Sequence, residues 1–210
     1  FRYKFLAQWI LALLVAGFLY FDLKIDIVNI RFFDTFHLGL WYIPFAAFTI
    51  VSFTNAVNIS DGLDGLAAGL LLICIAAFLV ISASILDTNL SVFLGLWIGA
   101  LIAFLYFNVW PARIMMGDVG ALSFGATLAV CGLLLGKPVA LAIIGGMFVV
   151  EVASSLIQIL SKKIRNKRVF DVAPLHLWVQ HKGWEEPKIV FRFWLAQLVF
   201  AIFGLWLSFI

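Results

Sequence analysis

Asn55, Asn58, Asp61 and Asp64 recur at intervals of three in NAVNISDGLDG (55–65), a polar stretch set between two apolar runs. On a helical turn this spacing places amides and carboxylates on one face, while Gly62 and Gly65 let backbone approach a ligand closely. Carboxylates at membrane depth are costly and face a polar cavity or the bundle interior; the ordinary alternative is a solvated loop in which Asp61 caps the next helix. A second stretch, FNVWPARIMMGDVGALSFG (107–125), holds Asp118 between Gly117 and Gly120 at the head of an apolar segment, with Asn108 and Arg113 nearby. Asp118 is either a helix cap or a hard oxygen ligand for Mg²⁺, which keeps water and substrate phosphate in its shell. In a third, Glu151, Ser154, Ser155 and Gln158 precede a basic cluster from Lys162 to Arg168 and the segment APLHLW around His176. A lone histidine there is a structural hydrogen-bonder or a proton carrier. Glu151, inside an apolar run, is a site candidate by its burial cost or a packing hydrogen bond, and the basic cluster marks topology, lipid headgroups or substrate phosphate.

The elements that must position these groups are membrane spans. Of 210 residues, 65% are hydrophobic and 12% charged, with mean hydropathy +1.13. Soluble domains average about 45–50% apolar and about 25% charged residues, so a water-soluble globule is excluded. Apolar runs at 5–21, 39–54, 66–86, 90–107, 119–136, 138–160 and 190–209 each approach the length needed to cross a bilayer. The expected fold is an all-α integral membrane protein of about seven transmembrane helices, one polytopic domain over 1–210. Between the first two runs, IDIVNIRFF reads as a short interfacial strand or hairpin within 23–38, or as irregular loop. With the N-terminus cytoplasmic, eleven of the 14 Lys and Arg fall on that side and only Lys24, Arg31 and Lys137 on the other. The polar loops 55–65, 108–120 and 161–189 then share the cytoplasmic face. The net charge of +3 is topological in such a chain, and nucleic acid is not an expected partner. Cys74 and Cys131 sit in apolar runs without metal or disulfide spacing. No phosphate-binding P-loop, dinucleotide fingerprint, nucleophile elbow or HExxH helix occurs.

Four ordered segments, NAVNISDGLDGLAAG, FNVWPARIMMGDVGALSFG, GGMFVVEVASSLIQ and RVFDVAPLHLWVQHKGWEEPKIVFRFW, resemble the phospho-N-acetylmuramoyl-pentapeptide transferase family, within the polyprenyl-phosphate sugar-1-phosphate transferases. The resemblance covers nearly the whole chain. It implies Mg²⁺-dependent transfer of phospho-MurNAc-pentapeptide from UDP-MurNAc-pentapeptide to undecaprenyl phosphate, giving lipid I and UMP, in the bacterial inner membrane. By position, Asp118 matches a metal-binding and catalytic aspartate, and His176 the first residue of a triple-histidine motif. Asn58, Asp61 and Asp64, with Asn55 beside them, match the uridine side of the pocket, and Asn108 an asparagine of the same pocket. A homodimer is a family expectation. Transfer of a related aminosugar phosphate, or a non-catalytic paralogue, is the alternative.

Three departures stand out. The family's paired aspartates lie upstream of the segment resembling FRYKFLAQW, so the chain reads as the C-terminal portion of a larger fold, expected to be inactive alone. Leu177 and Trp178 occupy the second and third histidine positions, and Met115 replaces a phenylalanine near the uracil.

Overall fold

The structure is a computed structural model that describes residues 2–29 and 35–209. Nine helices follow one another among the described residues: α1 (Arg2–Phe21), α2 (Tyr42–Ser60), α3 (Leu66–Ser84), α4 (Thr88–Asn108), α5 (Gly117–Leu134), α6 (Pro138–Ile144), α7 (Gly146–Arg165), α8 (Leu175–His181) and α9 (Glu186–Phe209). Six are long and apolar enough to cross a membrane, and α6 with α7 makes a seventh span only as a pair bent by 80°. This is a multi-pass membrane chain, as the apolar runs require. Between α1 and α2, β1 (Ile27–Val28) pairs antiparallel with β2 (Phe36–His37), Ile27 opposite His37. The hairpin expected within 23–38 is therefore formed, although its residues 30–34, Arg31 among them, lie outside the described set.

Two boundaries differ from the sequence reading. The run at 39–54 predicts a helix ending before Asn55, but α2 continues to Ser60. Asn55 and Asn58 thus share a helix, whereas Asp61 and Asp64 lie in the turn beyond it, and the single helical face expected for all four is not formed. The run at 138–160 predicts one straight span, yet it breaks at Gly145. A Cβ on Gly145 would lie 2.6 Å from the ring of Phe53 on α2, so the chain turns where only glycine fits. Breaking a helix within a bilayer strands backbone groups that lipid cannot satisfy. Gln197 of α9, fully buried, repairs the break: its Oε1 accepts the Met147 N–H at 3.1 Å and its Nε2 donates to the Ile144 carbonyl.

The bundle core forms where α2 packs on α1, α5 and α7, and α3 on α4 and α9. At the crossing of α2 and α5, a Cβ on Gly125 would lie 2.6 Å from the Phe53 carbonyl oxygen and 2.7 Å from the Thr54 Cα. The two backbones touch, the packing that small residues permit when apolar side chains gain nothing by leaving lipid. Asn58 stands one turn beyond Thr54 on α2, and Asp118 two turns before Gly125 on α5. The close crossing therefore carries these two side chains to the same place.

Candidate functional site

The C-terminal ends of α2 and α4 and the N-terminal ends of α1, α3 and α5 meet at one end of the bundle. There Asn58 Nδ2 donates to Asp118 Oδ1 at 2.7 Å, and Lys4 Nζ to Asp118 Oδ2 at 2.7 Å. Asp118 does not cap α5, whose N-cap is Met116 without a side-chain bond. Its carboxylate points outward, with side-chain exposures of 66% for Asp118 and 41% for Lys4. One turn along each helix, Gln8 of α1 accepts from Asn55 Nδ2 at 3.0 Å. Lys4 was legible only as part of a basic flank, and Gln8 was not singled out. Their spacing of one helical turn at the edge of an apolar run is the signal that was there to find.

Asp61 closes α2 as its C-cap rather than opening α3, whose N-cap is Gly65 at φ +76°. Partial burial pushes the Asp61 carboxyl up to about 6; the nearby negative charge of Asp118 adds to the shift and a hydrogen bond from the Gly117 backbone opposes it. Asp61, Asn58 and Asp118 therefore form one polar cluster of hard oxygen donors. Among the described residues no three His, Cys, Asp or Glu side chains group tightly enough to cage a metal. Mg²⁺ needs no such cage, since one or two carboxylates with water and phosphate complete its shell.

Asp64 and Asn108 hold the loops in place. Asp64 Oδ2 accepts the Ala112 N–H at 2.8 Å, while its own N–H donates to Glu186 Oε1 at 2.6 Å. Asn108, 2% exposed, accepts the Gly65 N–H at 3.2 Å and donates to the Ile114 carbonyl at 2.9 Å. Together they lace the 61–65 turn to the 109–116 loop and to the start of α9. Asp64 also lines a cavity of about 170 Å³ whose other walls include Trp110, Phe191 and Trp194.

His176 lies beneath this turn, 1% exposed, with Nδ1 2.9 Å from Oε2 of the fully buried Glu151. Glu151 Oε1 also accepts the His176 backbone N–H at 3.2 Å, and Ser154 Oγ the Leu175 N–H at 3.0 Å. Polar side chains of α7 thus cap α8, whose own N-cap, Pro174, offers none. Four residues beyond Ser154, Gln158 accepts the N–H groups of Val169 and Phe170 and donates to the Phe170 carbonyl. The far edge of the imidazole reaches the turn: a Cβ on Gly62 would lie 2.5 Å from His176 Nε2. Of the expected residues, then, Asn58, Asp61 and Asp118 come together, Asn55 joins α1 beside them, Asp64 and Asn108 brace the loops, and His176 supports the turn from below. Met115 is exposed in the 109–116 loop, and Leu177 and Trp178 follow His176 along α8.

Residues 1–136 match the family model of glycosyl transferase family 4. The chain belongs to glycosyl transferase family 4. Within the sequences akin to this family 4 member, the phospho-N-acetylmuramoyl-pentapeptide-transferase of Thermodesulfovibrio yellowstonii is 41% identical over 97% of this chain and 62% of its own length. The protein of that name from Borrelia turicatae is 40% identical over 97% of the chain and 64% of its own length. That of Caldanaerobacter subterraneus subsp. tengcongensis is 39% identical over 94% and 63%. The resemblance read from the four motifs is met by these relatives. The chain spans 62–64% of the length of the three, and all the cluster residues except those of α7, α8 and α9 fall in the part of the chain that the family 4 model covers.

Proposed function

We propose that this chain carries the nucleotide- and metal-facing part of a phospho-N-acetylmuramoyl-pentapeptide transferase. In that reaction the pyrophosphate P–O bond of UDP-MurNAc-pentapeptide breaks, a new P–O bond forms to an oxygen of undecaprenyl phosphate to give lipid I, and UMP is the leaving group. The observation that carries the reading is the outward-facing Asp118 carboxylate, held between Lys4 and Asn58 beside Asp61. Its site is the mouth of a membrane bundle, where a lipid phosphate travelling in the bilayer can meet a soluble nucleotide.

Asp118, with Asn58 and Asp61 beside it, would hold Mg²⁺, which when bound would neutralise charge on the pyrophosphate. The chain's own residues do the rest by placement. Lys4 supplies a positive charge at the mouth, and Asp64 with Asn108 fixes the turn against the 109–116 loop. The buried His176 packs against Gly62 and so acts on the substrate through the turn. Phosphoryl transfer depends mainly on such positioning and electrostatics. The names of the relatives favour the muramoyl substrate over other aminosugars.

In membranes carrying the complete protein of which this chain is part, Asp118→Asn should lower Mg²⁺-dependent exchange of labelled UMP into the UDP-sugar by about 100-fold or more, the several kcal/mol a metal-held charge contributes. Exchange at the unaltered rate would remove Asp118 from the reaction. Absence of any lipid-linked product from the unaltered complete protein would favour a non-catalytic paralogue.

A further inference from the structure

We propose that Lys4 is the resident counter-cation of Asp118, displaced when a divalent cation binds and thereby delivered to the anionic substrate. The inference rests on the reading of Asp118 as a metal ligand. Both oxygens of Asp118 are engaged, Oδ1 by Asn58 and Oδ2 by Lys4, each at 2.7 Å. Each oxygen keeps a further lone pair, so a metal ion can reach the carboxylate, but with both donors in place it would bind beside an ammonium of its own charge sign. The two donors are not equivalent. The Asn58 amide also carries an acceptor oxygen and can turn to offer it, whereas an ammonium has only donors and the same sign of charge as the metal. Lys4 is the donor that the metal repels.

Leaving is cheap. The pair joins two exposed side chains, 41% and 66% accessible, and ion pairs in such settings contribute little. The lysine stem has four rotatable carbons, so the ammonium can swing while its helix stays in place. The contact of Gln8 with Asn55, one turn further along α1, anchors that helix independently. The sequence separation of 114 between Lys4 and Asp118 makes this a tertiary contact, not a by-product of helix spacing. Once displaced, Lys4 remains beside the carboxylate cluster, where a phosphate drawn in by the metal replaces Asp118 as its partner. One cation thus guards the site when it is empty and faces the substrate when it is loaded.

The test uses Mn²⁺ as the probe, with free ion followed by electron paramagnetic resonance on the protein in detergent micelles. Lys4→Met should tighten Mn²⁺ binding by about fivefold, since the competing pair is gone, and should weaken UMP binding in the presence of Mn²⁺. In the unaltered protein, Mg²⁺ should raise the labelling of Lys4 by an amine-reactive reagent, read by mass spectrometry. Equal or weaker Mn²⁺ affinity in Lys4→Met, or labelling that Mg²⁺ leaves unchanged or lowers, would overturn the displacement. A distinct result, Mn²⁺ affinity unchanged in Asp118→Asn, would instead overturn the metal reading on which it rests.

Discussion

At Asp61 the cost of holding a carboxylate near the membrane is visible in a single group. Its pKa, pushed up to about 6 mainly by burial, exceeds its unfolded value of 3.8. The folded chain therefore binds this proton more tightly than the unfolded one, and stability falls as pH rises from about 4 through about 6. Above that range the chain bears the full penalty, reduced by partial solvent screening. In metal-free protein, Asp61→Asn should raise the melting temperature at pH 7.5 and lose that advantage at pH 4. An equal effect at both values would show that burial does not act on this charge. The same residue marks where sequence reasoning reached its limit. Types and spacing single out Asn58, Asp61 and Asp118 as candidates, because polar groups are scarce in so apolar a chain. The partners were not legible: Lys4 looks like any flanking charge until α1 and α5 meet, and nothing local to Asn108 announces that Gly65 and Ile114 are its partners.

Elements explain why α6 and α7 defeated a hydropathy reading. The run is apolar throughout, and the break depends on Gln197, more than fifty residues later, which supplies both an acceptor and a donor to the interrupted backbone. Gln197→Leu should leave the Met147 N–H unsatisfied, costing about 1–3 kcal/mol, and leave the Ile144 carbonyl with only the weak Cys74 Sγ donor at 3.5 Å. A drop in thermal stability in detergent would register it, and an unchanged melting curve would mean the break is held otherwise. A second element-scale dependence runs from α7 to α8. Removing one partner of a buried pair costs about 3–5 kcal/mol, so Glu151→Ala should loosen α8 and the turn above it together. Hydrogen exchange should rise at both Trp178 and Gly62. A rise confined to α8 would separate His176 from the turn. Glu151 was legible as a costly buried charge, but its partner depends on the loop 166–174 folding back over α7, which no periodicity encodes.

For the whole molecule, the sidedness of the membrane decides whether the site can meet a nucleotide at all. The polar cluster and the basic end of α7 belong to one end of the bundle by the charge bias of the loops. The opposite end carries the hairpin, Lys24 and the Lys137 side chain, whose ammonium donates to the Ser208 carbonyl near the end of α9 at 2.8 Å. A soluble nucleotide sugar is made inside the cell, so the cluster must face the cytoplasm for the proposed reaction to occur. The two native cysteines, Cys74 and Cys131, are buried, which makes the chain silent to a membrane-impermeant maleimide without further engineering. Cysteines introduced singly at the exposed positions Lys167 and Lys24 should then label from opposite sides: Lys167→Cys in inside-out vesicles only, Lys24→Cys in intact spheroplasts only. The reverse pattern would place the Asp118 cluster outside the cell, away from any UDP-linked substrate, and would exclude the transferase reading while leaving the fold untouched.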